Sequence, residues 1–163
     1  MKKMFFGAMV FLAFLVLGCK EGAARDESPG VAAPRATRGE GKRRVDEMGK
    51  IEIKIGDKIF AASLEDNEAA RALAEKLPLD VTMMELNGNE KYYRFSSSFP
   101  TNDACPGNIR AGDLMLYGGS YVVLFYKDFP TDYRYTRLGR LDDPVGLAKA
   151  VGEGDVKVFI KAR

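Results

Sequence analysis

Seven tyrosines, two cysteines and no histidine bound the chemistry open to this chain. All seven tyrosines fall between Tyr92 and Tyr135, and aromatic rings grouped this way can line a ligand groove with their hydroxyls at the rim. Tyr93, Tyr121, Tyr133 and Tyr135 are the groove candidates. Tyr92, Tyr117 and Tyr126 read instead as residues of a half-buried sheet surface, a setting that suits tyrosine. Cys105 lies between Ala104 and Pro106 in a loop-like stretch. A thiol nucleophile wants a base beside it, and with no histidine in the chain Cys105 reads as an incidental loop thiol. Zinc and copper sites are not expected from such a donor set, and no metal or cofactor is assigned. Asp142-Asp143 could be a carboxylate pair for acid–base or metal work. They precede Pro144 and an apolar helical run, however, where helix capping accounts for both. Asp113 is placed to pair with Arg137 or Arg140 across strands. Gly152-Glu153-Gly154 follows a helical run and lacks the remainder of a phosphate loop, and Ser96-Ser97-Ser98 has no base beside it.

The other cysteine carries a different chemistry. Lys2 and Lys3 precede Met4–Gly18, an uncharged apolar run that is short for a membrane span of about 20 residues and suits the core of a secretory signal. Val16-Leu17-Gly18-Cys19 follows the pattern of the bacterial lipobox: aliphatic, variable, small, then the cysteine that is lipidated. The expectation is a signal peptide over residues 1–18, cleavage before Cys19, and anchoring by acyl chains such as palmitate on that cysteine. Lys20 then points to the outer membrane in a cell that has two, so the address is the cell envelope, on the periplasmic side of the outer membrane or the cell surface. Residues 19–49 are rich in Gly, Ala, Pro, Ser and charge, with almost no large aliphatic side chain, and read as a flexible tether. The net charge of +2 owes much to Lys2, Lys3 and Lys42-Arg43-Arg44, outside the expected domain. Nothing there supports a nucleic-acid partner.

The elements that must position the tyrosines begin near Lys50. Ile51, Ile53 and Ile55 alternate with Glu52 and Lys54, Gly56-Asp57 supplies a turn, and Lys58–Leu64 resumes the extended pattern. Asp66 or Asn67 can cap a helix whose apolar positions are Ala70, Leu73, Ala74 and Leu77, with Pro78 as its stop. Val81–Leu86 and Lys91–Phe95 read as strands around an Asn87-Gly88-Asn89 turn. Ser96–Asn108 is too dense in Ser, Pro, Asn, Asp and Gly for regular structure. Leu114–Tyr117 and Tyr121–Tyr126 form a central hairpin through Gly118-Gly119-Ser120, followed by Tyr135–Leu141. A helix starting at Asp142-Asp143-Pro144 and ending at Gly152, with Leu147, Ala148 and Val151 inward, leads to a last strand, Val156–Ile160. About eight strands and two short helices over residues 50–163 predict a mainly β domain, a small closed barrel with helices at its ends.

Three segments together, Asn87–Tyr93, Ala111–Tyr117 and Arg137–Pro144, resemble the bacterial cyclophilin-like fold domains, small barrels related to the cyclophilin prolyl isomerases. The resemblance spans about Lys50 to Ile160. In true cyclophilins a strand arginine polarises the imide of a peptidyl-proline and a phenylalanine five residues on lines the proline pocket. Arg94 and Phe99 have that spacing, so the resemblance implies an arginine and aromatic pair here. Tyr121 and Val123 stand where glutamine and phenylalanine are wanted, Tyr135 stands where the histidine is expected, and the chain has neither Trp nor His. Isomerisation needs no acid, base or metal, only an apolar slot and a donor near the imide nitrogen, set against a barrier of about 18–20 kcal/mol. The expectation is therefore a lipid-anchored binding module presenting an aromatic groove to a peptide or small ligand. The alternative is a weak peptidyl-prolyl isomerase using Arg94 and Phe99. Domains of this kind are also expected near flavodoxin-like proteins, which adds a flavodoxin-like redox partner to the expectations, although no residue here reads as a flavin site.

Overall fold

The alternation of Ile51, Ile53 and Ile55 with polar neighbours decides which way the first strand faces. In the computed structural model, which describes residues 49–163, all three isoleucines are fully buried. The expected signal peptide, the lipidated Cys19 and the tether lie outside the described residues, apart from Gly49, whose carbonyl accepts the Leu64 N–H. The chain then runs β1 (Lys50–Ile55), β2 (Lys58–Leu64), α1 (Glu68–Ala74), β3 (Leu79–Leu86), β4 (Glu90–Arg94), β5 (Gly107–Ile109), β6 (Asp113–Tyr117), β7 (Tyr121–Phe125), β8 (Phe129–Thr131), β9 (Thr136–Leu141), α2 (Leu147–Val151) and β10 (Val156–Ala162). Eight strands close into an antiparallel barrel in the order β1-β10-β3-β4-β7-β6-β9-β2, and β5 and β8 pair as a separate ribbon. The expected mainly β barrel with two short helices is what forms.

Alternation sorts the side chains into two clusters. Ile53, Leu114, Leu116, Val122, Leu124, Val158 and Ile160 belong to the barrel core, to which all eight barrel strands contribute. The intervening Met115, Val123 and Phe125 point out of the barrel and pack with Ile109, Tyr135 and Phe129, a second cluster on the outer face beneath the ribbon. The strands that close the barrel and fill both clusters lie between Lys50 and Ala162, so residues 49–163 carry what they need to fold alone.

Four local expectations need correction. Helix α1 ends at Ala74 rather than Leu77; its cap is Asn67, whose Oδ1 accepts the Ala70 N–H at 2.9 Å while its Nδ2 donates to the Arg137 carbonyl at 2.8 Å. Helix α2 begins only at Leu147, after Gly146. Asp142 instead accepts from Ser63 Oγ at 2.6 Å, with Lys50 Nζ at 3.6 Å, and Asp143 accepts from Val145 N–H in a turn. These carboxylates therefore tie the barrel seam and shape a turn. Asp113 stands opposite Arg140 in the register, yet its carboxylate accepts the Arg110 N–H. The Ser96–Asn108 stretch is not wholly irregular, because Ala104 bridges Tyr135 and β5 starts at Gly107.

The barrel closes where β2 meets β9, and Gly139 makes that seam. A Cβ there would stand 2.3 Å from the Ser63 carbonyl oxygen and 2.9 Å from Leu64 Cα, backbone atoms that cannot turn aside. Gly139→Ala is expected to destabilise the domain by about 3 kcal/mol or more, read as a lower urea midpoint. An unchanged midpoint would mean that the seam can shift without cost.

Candidate functional site

Strand β4 carries the sequence Glu90-Lys91-Tyr92-Tyr93-Arg94, and period-2 alternation sends neighbours to opposite sides of the barrel wall. Tyr93 packs against the barrel core. Tyr92 joins the outer cluster, and Glu90 and Arg94 share its side. Pairing fixes the rest of this face: Tyr92 lies opposite Val123, Arg94 opposite Tyr121 and Glu90 opposite Phe125.

On this outer face is a groove of about 660 Å³. Tyr92, Tyr121 and Val123 line it from β4 and β7, Tyr117 and Gly118 from the end of β6, Tyr133 and Tyr135 from the segment before β9, Leu86 from the end of β3 and Asn87 from the turn that follows it. The rings meet edge to face or tilted, the geometries that aromatic quadrupoles favour. Tyr117 lies 5.5 Å from Tyr135 and 6.2 Å from Tyr133 between centroids, and Tyr92 lies 5.9 Å from Tyr121. Tyr133, 63 % exposed, is the outermost ring.

Glu90 completes the lining. It is 9 % exposed and its side chain makes no hydrogen bond to any described residue. Burial, with repulsion from Glu85 second, pushes its carboxyl up to about 7. Burial and then the nearby Glu90 charge push the Tyr135 phenol above its usual range. The arrangement supplies aromatic surface and one group that changes charge near neutrality.

The groove brings together Tyr121, Tyr133 and Tyr135 from the sequence candidates and adds Tyr92 and Tyr117, which read in sequence as plain sheet residues. Tyr93 lies on the other side of the wall, edge-on to Phe95 at 4.9 Å. Arg94 and Phe99 are not brought together. The Arg94 guanidinium lies 5.6 Å from the Tyr121 ring centroid on the outer face, whereas Phe99 is buried in the barrel core against Phe95 at 5.0 Å. Cys105, half-buried, is free and sits 3.9 Å from the Thr131 carbonyl. Sequence reading missed Glu90, whose two-residue spacing from Tyr92 was the available signal. Among the described residues no group of three or more potential metal ligands occurs, and no helix is long and apolar enough to cross a membrane.

The closed eight-stranded antiparallel topology is that of a small cyclophilin-type barrel. The sequence profile of the cyclophilin-like family matches residues 53–161, and the chain belongs to that family. Among solved structures, the solution structure of the hypothetical protein AF2241 from Archaeoglobus fulgidus is similar in fold, with a TM-score of 0.53 at 20% identity, covering 77% of this chain and 99% of that one. No curated protein matches the chain.

Proposed function

We propose that this cyclophilin-like domain is a binding module, held at the cell envelope by acyl chains on Cys19, that presents its outer aromatic groove to a peptide or small ligand. The observation that carries this reading is the groove itself: five tyrosines gathered from β4, β6, β7 and the β8–β9 segment around about 660 Å³ of open space. A sheet surface that served packing alone would not leave Tyr117 and Tyr133 exposed beside an open groove, and pockets of this volume suit small molecules or a few residues of a peptide. The lipobox pattern at Val16–Cys19 supports the anchor, and a tether over residues 19–49 would let the domain reach ligands away from the membrane surface. The isomerase alternative wants an arginine and a proline-pocket aromatic facing one substrate, and the wall of the barrel stands between Arg94 and Phe99.

The test is a fragment and peptide screen on residues 49–163, read by NMR on tyrosine side chains. Ligands are expected to shift Tyr92, Tyr117, Tyr121 and Tyr135 while leaving Tyr93 unmoved. Shifts confined to Tyr93 and Phe99, or acceleration of X-Pro exchange that Arg94→Ala abolishes, would replace this reading with the isomerase one.

A further inference from the structure

The groove has a chemical polarity that narrows its ligand. Its lining holds one carboxyl, Glu90, and no lysine or arginine. The Glu90 residue is 9 % exposed, and its carboxyl, which borders the groove, accepts no hydrogen bond from the described residues. A buried carboxylate without a partner is unfavourable, and an anionic ligand would make it more so. Tyr92, Tyr117, Tyr121, Tyr133 and Tyr135 line the groove with Glu90, and the face of an aromatic ring carries the negative side of its quadrupole. Among the described residues the lining thus offers a ligand's head several aromatic rings and one carboxylate, the pair that suits an organic cation. Tyr121 already shows the affinity in small: the Arg94 guanidinium lies against its ring at the margin of the groove.

Resting on the groove reading above, we infer that the groove binds an organic ammonium ion, a small quaternary or alkylated amine, with its head between the tyrosine rings and Glu90 as its counter-charge. The ligand supplies the positive charge that the buried carboxyl lacks. In the free protein Glu90 holds a proton over much of the range up to neutrality, so binding a permanent cation expels that proton and affinity rises with pH through about 7. The other titratable groups facing Glu90 are Tyr92 from β4, Tyr121 from β7, Tyr117 from β6 and Tyr133 and Tyr135 before β9. Glu85 acts on it from β3, held by Lys91 within the wall.

The probe is choline, compared with its neutral isostere 3,3-dimethylbutan-1-ol, titrated into residues 49–163 at pH 5.5 and pH 8 and followed by NMR. Choline is expected to bind at least about tenfold more tightly than the alcohol at pH 8, to weaken about tenfold or more at pH 5.5, and to shift Tyr92, Tyr121 and Tyr135. Glu90→Gln is expected to remove both the preference for choline over the alcohol and its pH dependence. Equal binding of the two probes, indifferent to Glu90→Gln, overturns the cation inference and leaves the groove reading standing. Tighter binding of the alcohol at pH 5.5 does the same and assigns Glu90 the role of a neutral donor. If neither probe moves the groove tyrosines the cation inference fails, and if the fragment and peptide screen also leaves them unmoved the groove reading fails with it.

Discussion

Glu90→Gln is expected to stabilise the domain at pH 8 by about 1–3 kcal/mol and to leave its stability at pH 4 nearly unchanged. The carboxyl rises from 4.5 to about 7 on folding, and at about 1.4 kcal/mol for each tenfold change in proton affinity this amounts to roughly 3 kcal/mol. The sign follows from proton counting. Between about 4.5 and 7 the folded state holds a proton that the unfolded state has released, so stability is intact below the lower value, falls as pH rises through the upper one, and is flat beyond it. Glutamine keeps the shape and removes the charge; its amide still lacks a buried partner, which is why the expected gain is less than the whole. Urea unfolding from pH 4 to pH 9 measures it. A wild-type curve that does not decline between pH 5 and pH 7.5, or a variant that declines equally, would show that water or a neighbour solvates Glu90. A gain on removing a groove side chain is what a residue retained for binding rather than for folding would give.

The barrel was legible because its signals are local. The alternating isoleucines of β1, the Gly118–Ser120 turn between β6 and β7, and the last alternating strand each state their own conformation, and closure is the remaining way to pair eight strands without an edge. The site was legible only in part, because it depends on face, and adjacent tyrosines in β4 share every local property. Tyr92 faces the groove and Tyr93 the core because Tyr92 pairs with Val123 of β7, a fact of register that lies about thirty residues away. A still longer separation along the chain hid the role of Asp142, whose partners Ser63 and Lys50 are on β2 and β1. A shorter one hid β5, an unremarkable Gly-Asn-Ile that becomes a strand through pairing with β8.

Glu90 and Lys91 look in sequence like a neutral pair and do opposite things. Lys91 points into the barrel, where its side chain is wholly buried, and its Nζ donates to the Glu85 carboxylate, to the Gly152 carbonyl at 3.0 Å and to the Gly154 carbonyl at 2.6 Å. The Tyr126 hydroxyl donates to the same carboxylate at 2.9 Å, and its ring lies 5.3 Å from the ammonium. Burial alone would raise the Glu85 carboxyl, but hydrogen bonds from Lys91, Tyr126 and the Gly88 N–H outweigh it and hold the group below its ordinary value. Two strands and the α2–β10 turn thus meet on one ammonium. Lys91→Met, which keeps the bulk and removes the charge, is expected to destabilise by about 3–5 kcal/mol, because it leaves two carbonyls and a carboxylate without their donor. Hydrogen exchange should quicken first in residues 152–155, the turn that the ammonium holds. The double variant Glu85→Gln/Lys91→Met should recover part of the loss, a coupling of about 1–3 kcal/mol, since the uncompensated carboxylate goes while the carbonyls stay unpaired. The acid limb follows the same logic. Stability that Glu85 contributes is lost in wild type as pH falls through its lowered folded value, and this limb should be weaker in Lys91→Met. Were Lys91→Met to unfold at the wild-type urea concentration, water would have to enter the barrel end and replace the ammonium at all three acceptors. Groove binding should survive the substitution wherever the domain remains folded, because Lys91 and the tyrosine face lie on opposite sides of one strand.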